Sequence, residues 1–219
     1  MIPPRASAAF VAQMEAVLAL YAEPYDAARP VVCLDERPCL VHADVREGLP
    51  VRPGAPARVD HEYERRGSCC ATVAFEPLRA WRRAWVRPRR TRVDFAELVR
   101  ELCDESYPGA ERIRLVCDNL NTHGVASLYE AFEPAEARRL ADRIEFVHTP
   151  VHGSWLNVVE VELSILSRQC LNRRLGNVEA VRREVTAWAL GRNAIGGTVR
   201  WQLGLEEARR KLARLYPSV

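Results

Sequence analysis

The chain has 219 residues, of which 48% are hydrophobic and 28% are charged, and its net charge is only +3. This composition is typical of a soluble globular protein and argues against disorder, and the length favours one domain with a sizeable core. No apolar run approaches the roughly 20 residues that span a bilayer, and no secretory signal is evident, so we predict a cytoplasmic protein with no membrane partner. The seven cysteines include no Cys-x-x-Cys pair, which favours buried thiols over disulfides or a zinc site.

Hydrophobic periodicity and turn residues divide the chain into strands and helices. In chain order the pattern predicts a helix over 6–22, a strand over 30–35, a loop rich in Pro, Gly and Arg over 46–66, strands over 69–75 and 80–86, a helix over 94–106, a strand over 112–118, helices over 125–132 and 135–140, a strand over 144–149, and helices over 158–171, 178–191 and 205–216. Asp94 is the predicted N-cap of its helix. This order indicates an α/β fold in which helices flank a mixed sheet.

Three acidic residues occupy positions that suit a shared site. Asp35 and Asp118 each end a predicted strand, and Glu160 lies near the start of a predicted helix. Active sites in such sheets lie at the carboxyl ends of strands, so the three side chains can converge there. Carboxylate oxygens are the ligands that Mg²⁺ prefers, and two such ions ~3.5–4 Å apart can activate a water or hydroxyl for phosphoryl displacement.

Each acid also has a structural interpretation or a competing neighbour. Asp35 taken alone is a strand-end carboxylate that caps a turn, and Asn157 with Glu160 has the spacing of a capping box. Glu36 competes with Asp35, but strand alternation turns it to the opposite face, which favours a supporting role. Glu162 competes with Glu160 but faces away from it on a helix.

Several segments resemble the catalytic domain of bacterial insertion-sequence transposases of the mariner-related superfamily, of the insertion sequence 630 type. They are Val31-Val32-Cys33-Leu34-Asp35-Glu36, Arg89 to Phe95, Asp118-Asn119-Leu120-Asn121-Thr122-His123, Ala126-Ser127-Leu128-Tyr129-Glu130-Ala131-Phe132, His152-Gly153-Ser154-Trp155-Leu156-Asn157-Val158-Val159-Glu160 and Ser167-Arg168-Gln169-Cys170-Leu171. The resemblance covers most of the chain. It implies a ribonuclease H-like mixed sheet flanked by helices, with an N-terminal helix and linker over 1–29 and the catalytic domain over 30–219.

By this resemblance Asp35, Asp118 and Glu160 form an Asp-Asp-Glu (DDE) catalytic triad and are the metal ligands for two Mg²⁺ or Mn²⁺ ions. The resemblance further implies a transposase that cleaves transposon ends and transfers them to target double-stranded DNA, as a homodimer that associates with the nucleoid when bound to DNA. Arg37 departs from the family pattern, because a small or hydroxyl residue is commoner there. Only about 30 residues precede the first predicted strand. That is too few for the usual helix-turn-helix domain, so a separate helix-turn-helix polypeptide is a candidate partner.

Polar and basic residues near the triad complete the expected site. Asn119, His123, His152 and Asn157 are candidates for orienting the ligands or the substrate, although a lone histidine is more often structural. The segment 79–92 contains seven arginines and no acid, and we expect it to contact DNA phosphates. Its candidate DNA-binding residues are Arg82, Arg83, Arg87, Arg89 and Arg90. The alternative is a solvated hairpin whose arginines protect a sheet edge.

Two other functions fit the same residues. One is a ribonuclease H-like nuclease that cuts an RNA–DNA hybrid or a branched junction without strand transfer, which a strand-transfer assay distinguishes from a transposase. The other is a non-catalytic or degenerate transposase fragment that acts only as a DNA- or subunit-binding module. Metal-dependent nicking of DNA distinguishes that fragment from an enzyme.

Overall fold

The computed structural model describes residues 6–46, 48–58 and 60–217. Outside the described part lie the two ends of the predicted domains, residues 1–5 and 218–219, and two residues of the predicted loop, 47 and 59. The strands are β1 (Val31–Asp44), β2 (Tyr63–Glu76), β3 (Trp81–Arg87), β4 (Ile113–Cys117) and β5 (Ile144–His148). The helices are α1 (Ala8–Ala22), α2 (Arg92–Glu101), α3 (Val125–Ala131), α4 (Pro134–Arg143), α5 (Val159–Leu166), α6 (Val178–Ile195) and α7 (Leu205–Lys211).

The five strands form one mixed sheet in the order β3-β2-β1-β4-β5. β2 runs antiparallel to its two neighbours, β1 and β3, whereas β4 runs parallel to its two neighbours, β1 and β5. Helices cover both faces, so the predicted ribonuclease H-like α/β class is confirmed. Within the described part of the chain, no helix is long and apolar enough to cross a bilayer.

The sheet separates two hydrophobic cores because successive strand residues point to opposite faces. Cys33 and Val41 of β1 face the core that contains α1, α5, α6 and α7. Val32 and Leu34 face the core that contains α2, α3 and α4. The boundary at residue 30 between an N-terminal segment and a catalytic domain stays a prediction, but α1 packs in the same core as the sheet.

β1 is much longer than the predicted strand over 30–35. It continues to Asp44, since β2 pairs with it from Phe75 back to Tyr63. β4 pairs only with the first residues of β1, Val31 to Cys33, and within the described chain no other strand pairs with that edge of β1. An open edge tolerates Pro38, which has no amide hydrogen to donate. The predicted loop over 46–66 is therefore too long, because β2 already begins at Tyr63.

The start of α2 also differs from the sequence prediction. Thr91, not Asp94, is the N-cap, and its hydroxyl accepts a hydrogen bond from the Asp94 amide. The Asp94 carboxylate in turn accepts a hydrogen bond from the Thr91 amide. Together these bonds form a capping box, which satisfies donors at the helix start. A short π-helical turn then prolongs the helix to Ser106.

Candidate active site

The parallel pairing of β1 with β4 sets the relative height of the two aspartates. Cys33 pairs with Val116, so the same register carried two residues further brings Asp35 level with Asp118. Asp118 directly follows the last residue of β4, whereas Asp35 lies within β1, beyond the point at which β4 stops pairing. The prediction that Asp35 ends its strand is wrong, but both residues lie at the carboxyl end of the parallel part of the sheet.

The third acid, Glu160, lies in the first turn of α5 and is exposed. The predicted capping box of Asn157 with Glu160 is wrong, because the N-cap residue is Val158 and makes no side-chain cap bond. Asn157 is instead buried, and its Nδ2 donates a hydrogen bond of 2.9 Å to the carbonyl oxygen of Leu34. This bond joins the start of α5 to the residue before Asp35.

The charges of the three acids act on one another. Burial raises the pKa of Asp35 to about 7, and the negative charges of Glu160 and Asp118 contribute to the rise. Within the described residues, no three His, Cys, Asp or Glu side chains are close enough to form a ready-made metal site. The donor set nevertheless fits a hard divalent cation, since it consists of carboxylates whose mutual repulsion a cation relieves.

A buried histidine supports Asp118. His123 Nδ1 lies 2.6 Å from Asp118 Oδ1, and His123 Nε2 lies 3.3 Å from Glu36 Oε1. Burial alone would lower the pKa of His123, but its hydrogen bonds to the two carboxylates raise it to about 9. Burial alone would raise the pKa of Asp118, but the bond to His123 outweighs it and the pKa is lowered. The His123 ring therefore bridges the carboxylates of Asp118 and Glu36.

Glu36 contributes more to the site than its sequence position indicates. By strand alternation it points to the same face as Leu34, away from Asp35, and there it contacts His123. Sequence reasoning weighed Glu36 and His123 separately and missed that they form one chain with Asp118. No local pattern reveals this link, since 87 residues separate Glu36 from His123.

The remaining polar candidates lie in different environments. Asn119 is exposed, directly after Asp118. His152 is also exposed, and its φ of 66° places it in the left-handed region, in the turn between β5 and α5. Asn157 is buried and donates a hydrogen bond to Leu34 of β1. Of the four candidates, His123 and Asn157 are therefore the two that contact the strands bearing the aspartates.

The predicted DNA contact of Arg82 is wrong. Its side chain is fully buried, its Nε lies 3.0 Å from Glu162 Oε2, and its NH1 donates to Asn193. Glu162 also accepts a hydrogen bond of 2.9 Å from Arg192. A buried guanidinium in this network cannot reach a phosphate. Because Glu162 is committed to the network, it does not compete with Glu160 for the site.

The other arginines of the segment fall into two groups. Arg83 and Arg87 both donate to Glu101 of α2, so acids within the fold neutralise them and their predicted DNA contact is not supported. Arg89 and Arg90 are exposed, and Arg90 lies 3.9 Å from Glu36. The expectation of DNA contact therefore narrows to Arg89 and Arg90.

Comparison with known proteins assigns the family. Residues 30–182 match the model of the DDE superfamily endonucleases. No curated protein is significantly similar to the chain. Two solved structures with the same fold are the Mos1 mariner paired end complex with Mn, at 15% identity and a TM-score of 0.54, and the Mos1 strand transfer complex, at 16% and 0.55.

The first of these alignments covers 87% of this chain and 57% of the Mos1 chain. The second covers 83% and 53%, so the chain spans little more than half the length of either Mos1 chain. The family match covers more than half of this chain, because it runs from the residue before β1 into α6. The chain therefore belongs to the DDE superfamily of endonucleases.

Proposed function

We propose that this chain is the catalytic part of a mariner-related DNA transposase, which cleaves the ends of a transposon and joins them to target DNA. The observation that supports the proposal best is the register of β1 and β4, which brings Asp35 level with Asp118, together with the bond from Asn157 to Leu34, which ties the start of the Glu160 helix to the same strand. Membership of the DDE endonucleases and the likeness in fold to Mos1 support it.

Asp35, Asp118 and Glu160 are the proposed ligands of two Mg²⁺ or Mn²⁺ ions. Such ions supply Lewis acidity, which activates the attacking water or 3′-hydroxyl and stabilises the leaving oxygen in an in-line displacement. In the described residues, the hydrogen bonds to the Asp35 and Asp118 side chains all end on Oδ1. The second oxygen of each carboxylate is thereby left to ligate a cation.

The other residues of the site hold these carboxylates in place. His123 fixes the orientation of Asp118, and Asn157 fixes the start of α5 on β1, which sets the position of Glu160. Placing reactants in line and stabilising developing charge accelerates phosphoryl transfer without a covalent protein intermediate. Arg89 and Arg90 remain candidates for contact with DNA phosphates near the site.

The proposed partners follow from the reaction. Transposon ends and target are double-stranded DNA, and joining two ends suits a homodimer. A separate helix-turn-helix polypeptide is the proposed source of sequence recognition, and the cytoplasm, with association to the nucleoid through DNA, is the proposed location. The Mos1 structures that share the fold are described as a paired end complex and a strand transfer complex.

Nicking of supercoiled plasmid tests the enzymatic part of the proposal. We expect nicking in Mg²⁺ or Mn²⁺ and its loss in Asp118→Asn, because the variant removes a ligand charge without changing side-chain size. Asp142→Asn is the matched control, since Asp142 is an exposed residue of α4 that pairs with Arg138. Equal nicking by wild type and Asp118→Asn would refute the proposal.

Joining of pre-cut DNA tests the transposase part. A labelled duplex with a free 3′-hydroxyl, drawn from the ends of the element that encodes the chain, should become covalently attached to plasmid DNA in the presence of the metal. A nuclease without strand transfer would cut plasmid and leave the duplex unjoined, and that result would replace the transposase assignment.

A further inference from the structure

A groove of about 510 Å³ lies beside the proposed active site, between β1 and the chain that follows α5. Arg37 and His42 line it from the β1 side, and Ser167, Arg168 and Arg173 line it from the other side. Among the described residues that line the groove, none is Asp or Glu. The groove is therefore a basic depression.

The lining of the groove follows the proposed catalytic carboxylates in sequence, both along β1 and along the helical segment after Glu160. Arg37 lies two residues after Asp35 on the same face of β1, a distance of about 7 Å along a strand. Arg168 lies eight residues after Glu160, about 12 Å along a helix. Ser164 lies between them, and its hydroxyl accepts a hydrogen bond of 2.8 Å from Arg168. Both arginines thus lie on elements that lead away from the carboxylates toward the groove.

The charges of the groove are not neutralised within the fold. Arg37 and Arg168 are exposed, and neither forms an ion pair in the described part of the chain. Arg173, in contrast, pairs with Glu184. Arg83 and Arg87, which the sequence indicated as DNA contacts, pair with Glu101. Arg37 and Arg168 are therefore available to pair with negative charges of a bound molecule.

We propose that this groove binds the phosphodiester backbone of the DNA strand whose cleaved phosphate lies at Asp35 and Glu160, with Arg37 and Arg168 each contacting one phosphate. Guanidinium groups suit this task, because their planar forks donate two hydrogen bonds to phosphate oxygens. The inference rests on the proposed function and deepens it by assigning the path of the strand. Contacts to phosphate carry no base specificity, so the groove binds DNA of any sequence.

The salt dependence of DNA binding tests the groove directly. The full chain is titrated with a duplex oligonucleotide in the absence of divalent cations, over a range of salt concentrations. Each phosphate contact contributes about 0.9 to the slope of log K against log salt. The double variant Arg37→Gln/Arg168→Gln should therefore lose about 1.8 of that slope. The lysine pair Arg37→Lys/Arg168→Lys should keep it, since lysine keeps the charge.

Arg112→Gln is the matched control. Arg112 is an exposed arginine that precedes β4, at the opposite end of the sheet from Asp118, so its loss should leave the slope unchanged. A double glutamine variant with the slope of Arg112→Gln would overturn the proposal, as would a wild-type chain that shows no salt-dependent binding. The binding assay contains no metal, so its result is independent of whether Asp118→Asn abolishes nicking.

Discussion

His123 is held by contacts to its ring and to its backbone. Phe95 packs against it with ring centroids 4.7 Å apart, its two nitrogens face Asp118 and Glu36, and its carbonyl oxygen accepts a hydrogen bond of 2.8 Å from His148. These contacts restrict the orientation of the ring. Because Asp118 is bonded to that ring, its carboxylate orientation is restricted as well.

Substitution of His123 should weaken catalysis through the metal. Partners that orient metal ligands typically contribute 10–100-fold to metal affinity or activity. We expect His123→Leu to reduce DNA nicking by about that factor and to raise the Mg²⁺ concentration required for half-maximal activity. His123→Asn, whose amide can replace Nδ1 toward Asp118, should lose less. Nicking measured against Mg²⁺ concentration, with folding checked by circular dichroism, tests both variants; wild-type activity in folded His123→Leu would contradict the role.

At the residue scale, residues within a recognisable motif can be proposed from the sequence. The role of a residue whose partner lies far away in the chain cannot. The three acids are identifiable because each lies in a segment that resembles the family. The burial of Arg82 is not identifiable, because the acid that pairs with it lies 80 residues later. Seven arginines without an acid suggest an exposed patch, but the compensating acids come from α2 and α5.

At the element scale, β1 shows why strand ends are difficult to predict. Asp35, Glu36, Arg37 and Pro38 together have the composition of a turn, and the apolar run stops before them. In the structure β2 supplies hydrogen bonds to the whole of this segment, and non-local pairing overrides its local preference. The same pairing holds Asp35 in a strand, which would position a proposed metal ligand better than a loop end does.

The turn between β5 and α5 depends on one glycine. A Cβ on Gly153 would lie 2.5 Å from Pro150 Cγ and 2.8 Å from the Pro150 carbonyl oxygen, so an alanine there has to displace the turn. Overpacking of this kind typically costs about 1–3 kcal/mol. We expect Gly153→Ala to lower the free energy of unfolding by that amount and to reduce nicking, because the turn leads into the helix that carries Glu160.

Gly191→Ala provides the matched control for that change. Gly191 lies within α6, and a Cβ there would meet nothing within 4 Å. An alanine in a helix interior is more stable than glycine by roughly 0.5–1 kcal/mol. Urea unfolding of both variants measures the effect, and a Gly153→Ala chain as stable as wild type would show that the turn can move without cost.

At the scale of the whole molecule, the order of elements and the α/β class follow from the sequence, whereas the strand order does not. Periodicity identifies each helix and strand from its own residues, and the alternation of elements limits the sheet to a mixed one. Pairing of β1 with both β2 and β4 depends on contacts between segments far apart in the chain. The resemblance to a family implied a ribonuclease H-like sheet, and the structure adds the order of its strands.

The shared sheet should make the two cores unfold together. Cys33, Cys39, Cys69 and Cys170 lie in the core beneath α1 and α5, and Cys103 lies in the core beneath α2. Since both cores pack on the same five strands, neither can open without exposing one face of the sheet, so we expect a single cooperative unfolding transition.

Thiol labelling tests this cooperativity. All seven cysteines are buried, and burial raises the pKa of Cys33 and Cys70 to about 12 and that of Cys39 and Cys103 to about 11. Since the thiolate is the reactive form, the folded chain should not react with Ellman's reagent at neutral pH. Pulse labelling at increasing urea should expose thiols of both cores at the same midpoint. Labelling of Cys103 at a lower urea concentration than Cys33 would show instead that the face covered by α2, α3 and α4 opens independently.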